Sequence, residues 1–176
     1  RQMKRRQALW AACSAAGTVA GLPWLAQPAA AAPTLAGQVV VWPEVALLDG
    51  STWGPQQAAG QAVVVVFWST TCPFCRRHNQ HVQKLVRAAA GKALTVLGVA
   101  RERDAEAVRR YAAQQGYGFP ITLAHAPMAA VLSKRSMIPL TATVDRQGRL
   151  KHVIPGEMFE EDVMELLKLA DGPART

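Results

Sequence analysis

Cys72 and Cys75 stand two residues apart in "FWSTTCPFCRRH", Phe67 to His78, directly after a run of valines. Two thiols at that spacing can form a structural cross-link, supply half of a metal site, or cycle between dithiol and disulfide. A bond that closes so short a loop takes little entropy from the unfolded chain, so stability is a poor reason for the pair. The remaining cysteine, Cys13, lies in an N-terminal segment laid out like a leader, so the chain lacks the several bridges of a small disulfide scaffold. Redox exchange is the chemistry that uses what surrounds the pair.

"QAVVVVFW", Gln61 to Trp68, is a continuous apolar run of strand length, the pattern of a strand buried on both faces of a parallel sheet. From Pro73 to about Ala90, Phe74, Val82, Leu85, Val86 and Ala89 recur at helical spacing, and Gly91 closes the helix. The cysteines therefore fall where a strand hands over to a helix. Cys72 lies at the helix start, where unsatisfied N–H groups and the macrodipole favour a thiolate. Thiol pKa values at such positions fall from about 8.5 to roughly 3.5–7.5, which makes a nucleophile available at neutral pH. Cys75, one turn along and shielded, is placed to attack a mixed disulfide and release the product. Pro73 suits the first turn because it has no N–H to leave unpaired. Arg76, four residues beyond Cys72, shares its helix face and offers a cation to the thiolate; the plainer reading, for Arg76 and Arg77 alike, is a solvated surface. His78 could act as an acid or base near neutral pH, or be an ordinary helix-surface histidine.

A metal carrier is the rival from another class. Cys72, Cys75, His78 and His81 recur at intervals of three, and all are zinc or copper ligand types. One continuous helix spreads them along its length, so closing a tetrahedron would require a bend. A peroxidatic site would call for threonine and proline where Ser69 and Val65 stand, and covalent haem attachment needs histidine where the chain has Arg76.

The remaining elements must hold the pair in place. "GQVVVWPEVALLDGSTW" reads as a hairpin turning at Asp49-Gly50, and "GPQQAAG" as a loop. "ALTVLGVA" is a second buried strand, and Asp104 caps a helix that runs to Gly116 with Val108 and Tyr111 on one side. A short extended piece and a short helix after Pro127 follow. "PLTATVD" alternates like a strand, "RQG" turns, "RLKHVIPG" returns antiparallel, and Glu157 to Ala170 forms a final amphipathic helix. Strands separated by helices pair in parallel, while the late pair needs only a tight turn. Trp42, Trp53, Phe67 and Trp68 are expected to fill the core.

The 176 residues, half of them hydrophobic, suffice for one domain after a leader. From Met3 onward, positive charge is followed by an apolar small-residue stretch and an alanine-rich tail, the layout of an export signal over 1–32, with 33–176 as the domain. Arg5-Arg6 hints at the twin-arginine route, and an uncleaved membrane anchor is the structural rival. Gly17, Gly21 and Pro23 interrupt the apolar stretch, which favours cleavage near Ala31 or Ala32. The formal charge is +8, but four of the 20 basic residues lie in the leader, leaving 16 against 12 acidic. That excess, with no basic stripe interleaved with aromatics, argues against nucleic acid. No phosphate-binding glycine loop is present, so no nucleotide cofactor is implied.

With "VVVVFWSTTCPFC", "LDG" upstream and "SMIPLTATVDRQGRL" downstream, the stretch from Pro43 to Ala170 resembles the thioredoxin-fold thiol:disulfide oxidoreductases, and among them the exported TlpA/ResA-type redoxins. The resemblance implies an α/β thioredoxin-like fold: a central mixed sheet flanked by helices, here with an N-terminal β-hairpin extension. It implies a periplasmic, monomeric enzyme whose redox group is the Cys72–Cys75 disulfide, with no further cofactor or metal, acting on protein thiols and disulfides. It implies a cis peptide at Ile138-Pro139, with Ile138 offering backbone hydrogen bonds to an extended substrate segment; cis bonds occur almost only before proline, and proline can open a strand. The implied direction is reduction, for example of apocytochromes or copper-delivery proteins, with electrons from a membrane partner; oxidation is the alternative. Thr71 and Val66 stand where the thioredoxins proper have a tryptophan and a buried acid, His78 stands where TlpA/ResA-type chains commonly have a glutamate, and Pro73-Phe74 fills the space between the cysteines. Phe74 cannot donate a hydrogen bond to a thiolate, which predicts a less oxidising centre than one with histidine there.

Overall fold

The computed structural model describes residues 36–174; the leader expected at 1–32, with its arginine pair and Cys13, lies outside that range. A short antiparallel hairpin, β1 (Val45–Ala46) and β2 (Thr52–Trp53), comes first. Asp49 Oδ1 accepts from the Ser51 N–H and hydroxyl at 2.9 and 2.6 Å, and Gly50 takes φ 89°, a left-handed conformation that costs glycine nothing. "GPQQA", expected as loop, contains a single helical turn, α1 (Pro55–Ala58). Pro55 sits where no N–H is needed, and the Gln57 side chain accepts from the Gly54 N–H at 2.9 Å, the polar signature of a helix start.

The main sheet takes β3 (Ala62–Trp68), β4 (Leu94–Ala100), β5 (Ile121–Thr122), β6 (Leu140–Val144) and β7 (Leu150–Pro155) in the order β5-β4-β3-β6-β7. The helix α2 (Pro73–Ala88) joins β3 to β4, and α3 (Ala105–Gln115) joins β4 to β5; these strand pairs are parallel, as crossover connections require. After α4 (His125–Leu132) the chain returns as β6, antiparallel to β3, then turns back into β7. The sheet is therefore mixed. Asp104 caps α3 by accepting from the Glu106 and Ala107 N–H groups, and Gly116 closes it at φ 69°.

Successive residues of β3 point to opposite faces and feed two cores. Val64, Val66 and Trp68 join Val82 and Leu85 of α2, Val108 of α3 and Val163 further on; Val63, Val65 and Phe67 join Met128 and Leu132 of α4 and Trp53 of the hairpin. Each valine, fully removed from water, contributes about 1.5–3 kcal/mol relative to exposure. The strand thus fixes where the chain emerges at Trp68. Beside it, Trp68, Tyr111, Tyr117 and Phe119 form an aromatic cluster with ring centroids 5.2 to 6.2 Å apart. Gly98 of β4 makes room for it: a Cβ there would stand 2.8 Å from the Phe119 ring and 3.1 Å from Trp68 Nε1.

Three expectations are corrected. The helix expected after Pro127 begins at His125, which places the proline inside the first turn, where its missing N–H costs nothing. The sequence of β6 alternates, yet all five residues are buried, because strands flank it on both edges and cores cover both faces. The final helix is shorter than expected: α5 spans Glu160–Glu165 and tightens into a 3₁₀ turn, Leu166–Asp171. Glu157 and Met158 are not helical because α2 holds them, as described next.

Candidate active site

Trp68 of β3 pairs with Ala100 of β4, and the antiparallel β6 begins with Leu140 opposite Phe67. Three loops therefore open at the same end of the sheet: Ser69–Thr71 leading to the cysteines, Arg101-Glu102 after β4, and Met137–Pro139 before β6. This is the carboxyl end of the parallel strands, where α/β sheets place their chemistry.

Cys72 is the cap residue of α2, in extended conformation, and Pro73 is its first helical residue. The two cysteines form a disulfide with their Cα atoms 5.2 Å apart. The Cys75 N–H points at Cys72 Sγ, 3.1 Å away, the hydrogen bond that would favour a thiolate there after reduction. Cys75 is wholly buried, whereas Cys72 is partly exposed. Only one sulfur can be reached from outside.

Phe74, expected on the packed face of the helix, is 56% exposed. It belongs to the first turn, ahead of the point where the helix settles onto the sheet, and the Arg77 guanidinium lies 5.0 Å over its ring. Arg77 in turn donates from Nε and Nη2 to the two Glu157 oxygens at 2.8 and 2.6 Å, and that bidentate pair holds the Glu157 carboxyl below its ordinary range. Arg76 is exposed, as a solvated helix surface would have it.

His78 is neither a surface residue nor a free base. It is fully buried; Nδ1 accepts from the Met158 N–H at 3.2 Å, so the neutral ring carries its proton on Nε2 and donates to Thr141 Oγ1 at 2.9 Å. Burial above all, then the neighbouring His81, pushes its pKa down to about 4. The imidazole is a neutral cross-tie between α2, β6 and the segment before α5. Nor does it converge with the cysteines and His81 on a metal: both its nitrogens are engaged, and His81 Nδ1 lies 3.5 Å from Glu160 Oε2. Among the described residues no group of three or more His, Cys, Asp or Glu side chains could hold a metal ion.

The Ile138-Pro139 peptide is cis, and Pro139 is buried. The Pro139 carbonyl accepts from the Gly156 N–H at 2.8 Å, so residues 156–158 touch the proline loop, Arg77 and His78 in succession. Ile138 is half-buried between the two cores, and Met137 beside it is 50% exposed. With Phe74 these side chains give this end of the sheet an apolar rim.

Sequence reasoning missed two residues. Glu102 Oε1 accepts from the Ser69 hydroxyl, the Thr70 N–H and the Thr70 hydroxyl at 2.8, 2.5 and 2.8 Å. Burial alone would raise its pKa, but these donors outweigh it and hold the carboxyl below its ordinary range. Its neighbour Arg101 donates from Nη1 to the Ser136 carbonyl at 2.7 Å, on the way to the proline loop. The available signal was positional: "RERD" follows a buried parallel strand directly, at the end of the sheet where the cysteine loop also emerges.

The thiol-disulfide oxidoreductase ResA of Halalkalibacterium halodurans is 25% identical over 122 residues, 69% of this chain and 69% of that protein. The thioredoxin-like protein YneN of Bacillus subtilis is 29% identical over 125 residues, 69% of this chain and 72% of that one. Among solved structures, a thiol:disulfide interchange protein of the thioredoxin family from Chlorobium tepidum superposes with a TM-score of 0.71 at 23% identity, over 77% of this chain and 97% of its own, which bears out the thioredoxin-like fold. The Redoxin family profile matches residues 30–168. A matching profile over most of the chain, and a CxxC disulfide capping the helix that follows a buried strand, place this protein in the Redoxin family as a TlpA/ResA-type thiol:disulfide oxidoreductase.

Proposed function

We propose that the Cys72–Cys75 couple exchanges electrons with protein substrates in the periplasm, acting as a reductase. The observation that carries this reading is the asymmetry of the two sulfurs: Cys72 is partly exposed at the head of α2 with an amide aimed at it, while Cys75 is buried one turn behind. After reduction, the Cys72 thiolate attacks a substrate disulfide and forms a mixed disulfide, and one substrate sulfur leaves with a proton. The Cys75 thiolate then attacks Cys72 Sγ, restoring the intramolecular disulfide and releasing the second substrate sulfur. Ile138 and Pro139 form the loop ahead of β6 along which an extended substrate segment lies, and Met137 and Phe74 cover its apolar side chains.

The reading extends to 1–32 as an export leader, to a monomer working with no group beyond its own disulfide, and to a membrane-bound electron donor. Substrates that fit the chemistry include apocytochromes and metal-site proteins whose cysteines must be kept reduced. The absence of a hydrogen-bond donor on Phe74 favours the reducing direction. Equilibration with glutathione and dithiothreitol tests it. A potential near the thioredoxin value of about −270 mV is expected, and one near the strong-oxidant value of about −120 mV would assign the protein to disulfide formation.

A further inference from the structure

We propose that the Arg101-Glu102 dipeptide positions both the cysteine turn and the proline loop, and that the fixed charge of Glu102 biases the Cys72–Cys75 couple toward its disulfide form. The inference rests on the assignment of that couple as the working redox centre.

Glu102 gathers three donors from Ser69 and Thr70 on one oxygen, and Thr70 is two residues from Cys72. Ser69 also receives the Cys72 N–H on its carbonyl at 3.3 Å, and its hydroxyl lies 3.0 Å from Thr71 Oγ1. The whole approach to the nucleophile is thus folded around one carboxylate. The second oxygen, Oε2, is shut off from solvent and has no hydrogen-bond partner among the described residues. A charge so placed is poorly screened by water, and its field reaches the nearby sulfur. On the other side, Arg101 grips the Ser136 carbonyl, two peptides before Ile138, while its own N–H donates to the Trp68 carbonyl at 3.1 Å. One dipeptide therefore ties the cysteine turn and the proline loop to the end of β4. Glu102 and Arg101 are positioning residues; neither touches the sulfurs.

The sign follows from the reaction. The disulfide takes two electrons from two glutathione thiols, which leave as glutathione disulfide. Of the two protons released, one stays on Cys75, and the other goes to solvent when Cys72 ends as a thiolate. A neighbouring carboxylate disfavours that thiolate, so it disfavours the reduced form and lowers the potential. Removing the charge should do the reverse.

The test uses the full chain carrying Glu102→Gln, which keeps an amide oxygen for the Thr70 N–H but discards the charge, beside Glu102→Ala and, as a remote charge control, Glu165→Gln. In glutathione buffers the Gln variant should shift the reduction equilibrium about three- to tenfold toward dithiol, about 14 to 30 mV upward, with a matching fall in the Cys72 alkylation midpoint and no change in the control. Arg101→Ala should raise KM for a protein disulfide about threefold or more, with kcat held, because it loosens the proline loop against which the substrate lies. If Glu102→Gln folds and leaves both potential and alkylation midpoint at the wild-type values, the charge inference is overturned while the redox centre stands. If the wild-type couple itself fails to exchange with glutathione, the redox assignment falls, and this inference with it.

Discussion

The two ends of the sheet are fastened in the same way and to different purpose. At the end away from the disulfide, Arg146 donates to the carbonyls of Gly60, Ala170 and Gly172 at 3.0, 3.4 and 2.8 Å, tying the turn after β6 to the chain entering β3 and to the tail after α5. At the cysteine end, Glu102 and Arg101 do the corresponding work for the three loops there, and His78 ties α2 to the backbone of the segment before α5. In both places a polar side chain meets backbone groups that strands and helices leave unpaired, as buried peptide groups require. The difference lies in what happens nearby. No charge changes beside Arg146, so its cation serves geometry alone, whereas at the other end a sulfur gains and loses charge, and every fixed dipole or ion around it acts on that equilibrium.

This contrast can be broken or sharpened by experiment. The largest effect belongs to the sulfurs: Cys72→Ser should reduce insulin reduction and dithiol oxidation to background, and Cys75→Ser should accumulate mixed disulfides visible on non-reducing gels. Either variant retaining turnover would remove the chemical half of the comparison. Next comes acid. His78 has a folded pKa near 4 against an ordinary value of 6.5, so its neutral-form stability is fully present above about pH 6.5 and is lost as pH falls toward 4. Denaturant titrations across that window should show a loss of about 3 kcal/mol, absent in His78→Gln, whose own baseline should be lower at pH 7. Arg146→Ala should cost about 1.5–3 kcal/mol in chemical unfolding, since hydrogen bonds from a charged group are lost, while leaving the glutathione equilibrium untouched. A shifted potential in that variant would erase the distinction between the ends. The smallest effect is expected at the partly exposed Arg77–Glu157 pair: Glu157→Gln should change stability by no more than about 1 kcal/mol, read by the same unfolding titration.

Local pattern carried most of the fold into the sequence. The valine run declared a strand buried on both faces, Asp49-Gly50 a hairpin turn, Asp104 and Gly116 the ends of a helix, and each is where its chemistry placed it. The site was legible to the extent that it is local: the CxxC spacing, its place at a strand–helix junction and the proline that opens β6 are contiguous features. What escaped depends on residues distant in the chain meeting in space. His78 looks like a surface residue when only its helix is considered, and becomes interior once residues 156–158 cover it. Phe74 follows the helical spacing of its apolar neighbours but precedes the stretch of α2 that meets the sheet. Glu102 lies 32 residues from Thr70, and nothing nearer in sequence reveals that the two are bonded. The shortened last helix has the same origin, because Glu157 and Met158 are drawn toward α2 before the helix can begin.

Gly98 has a consequence for how far this chain can vary. Neighbouring positions on β4 can trade one aliphatic residue for another with modest repacking, but position 98 tolerates no side chain, because the Phe119 ring and the Trp68 indole already occupy the space. A methyl group introduced there would have to push the Phe119 ring aside and would press on the Trp68 indole that ends β3, the pedestal on which the cysteine turn stands. A glycine 26 residues after Cys72 thereby restricts the aromatic support beneath the cysteine turn.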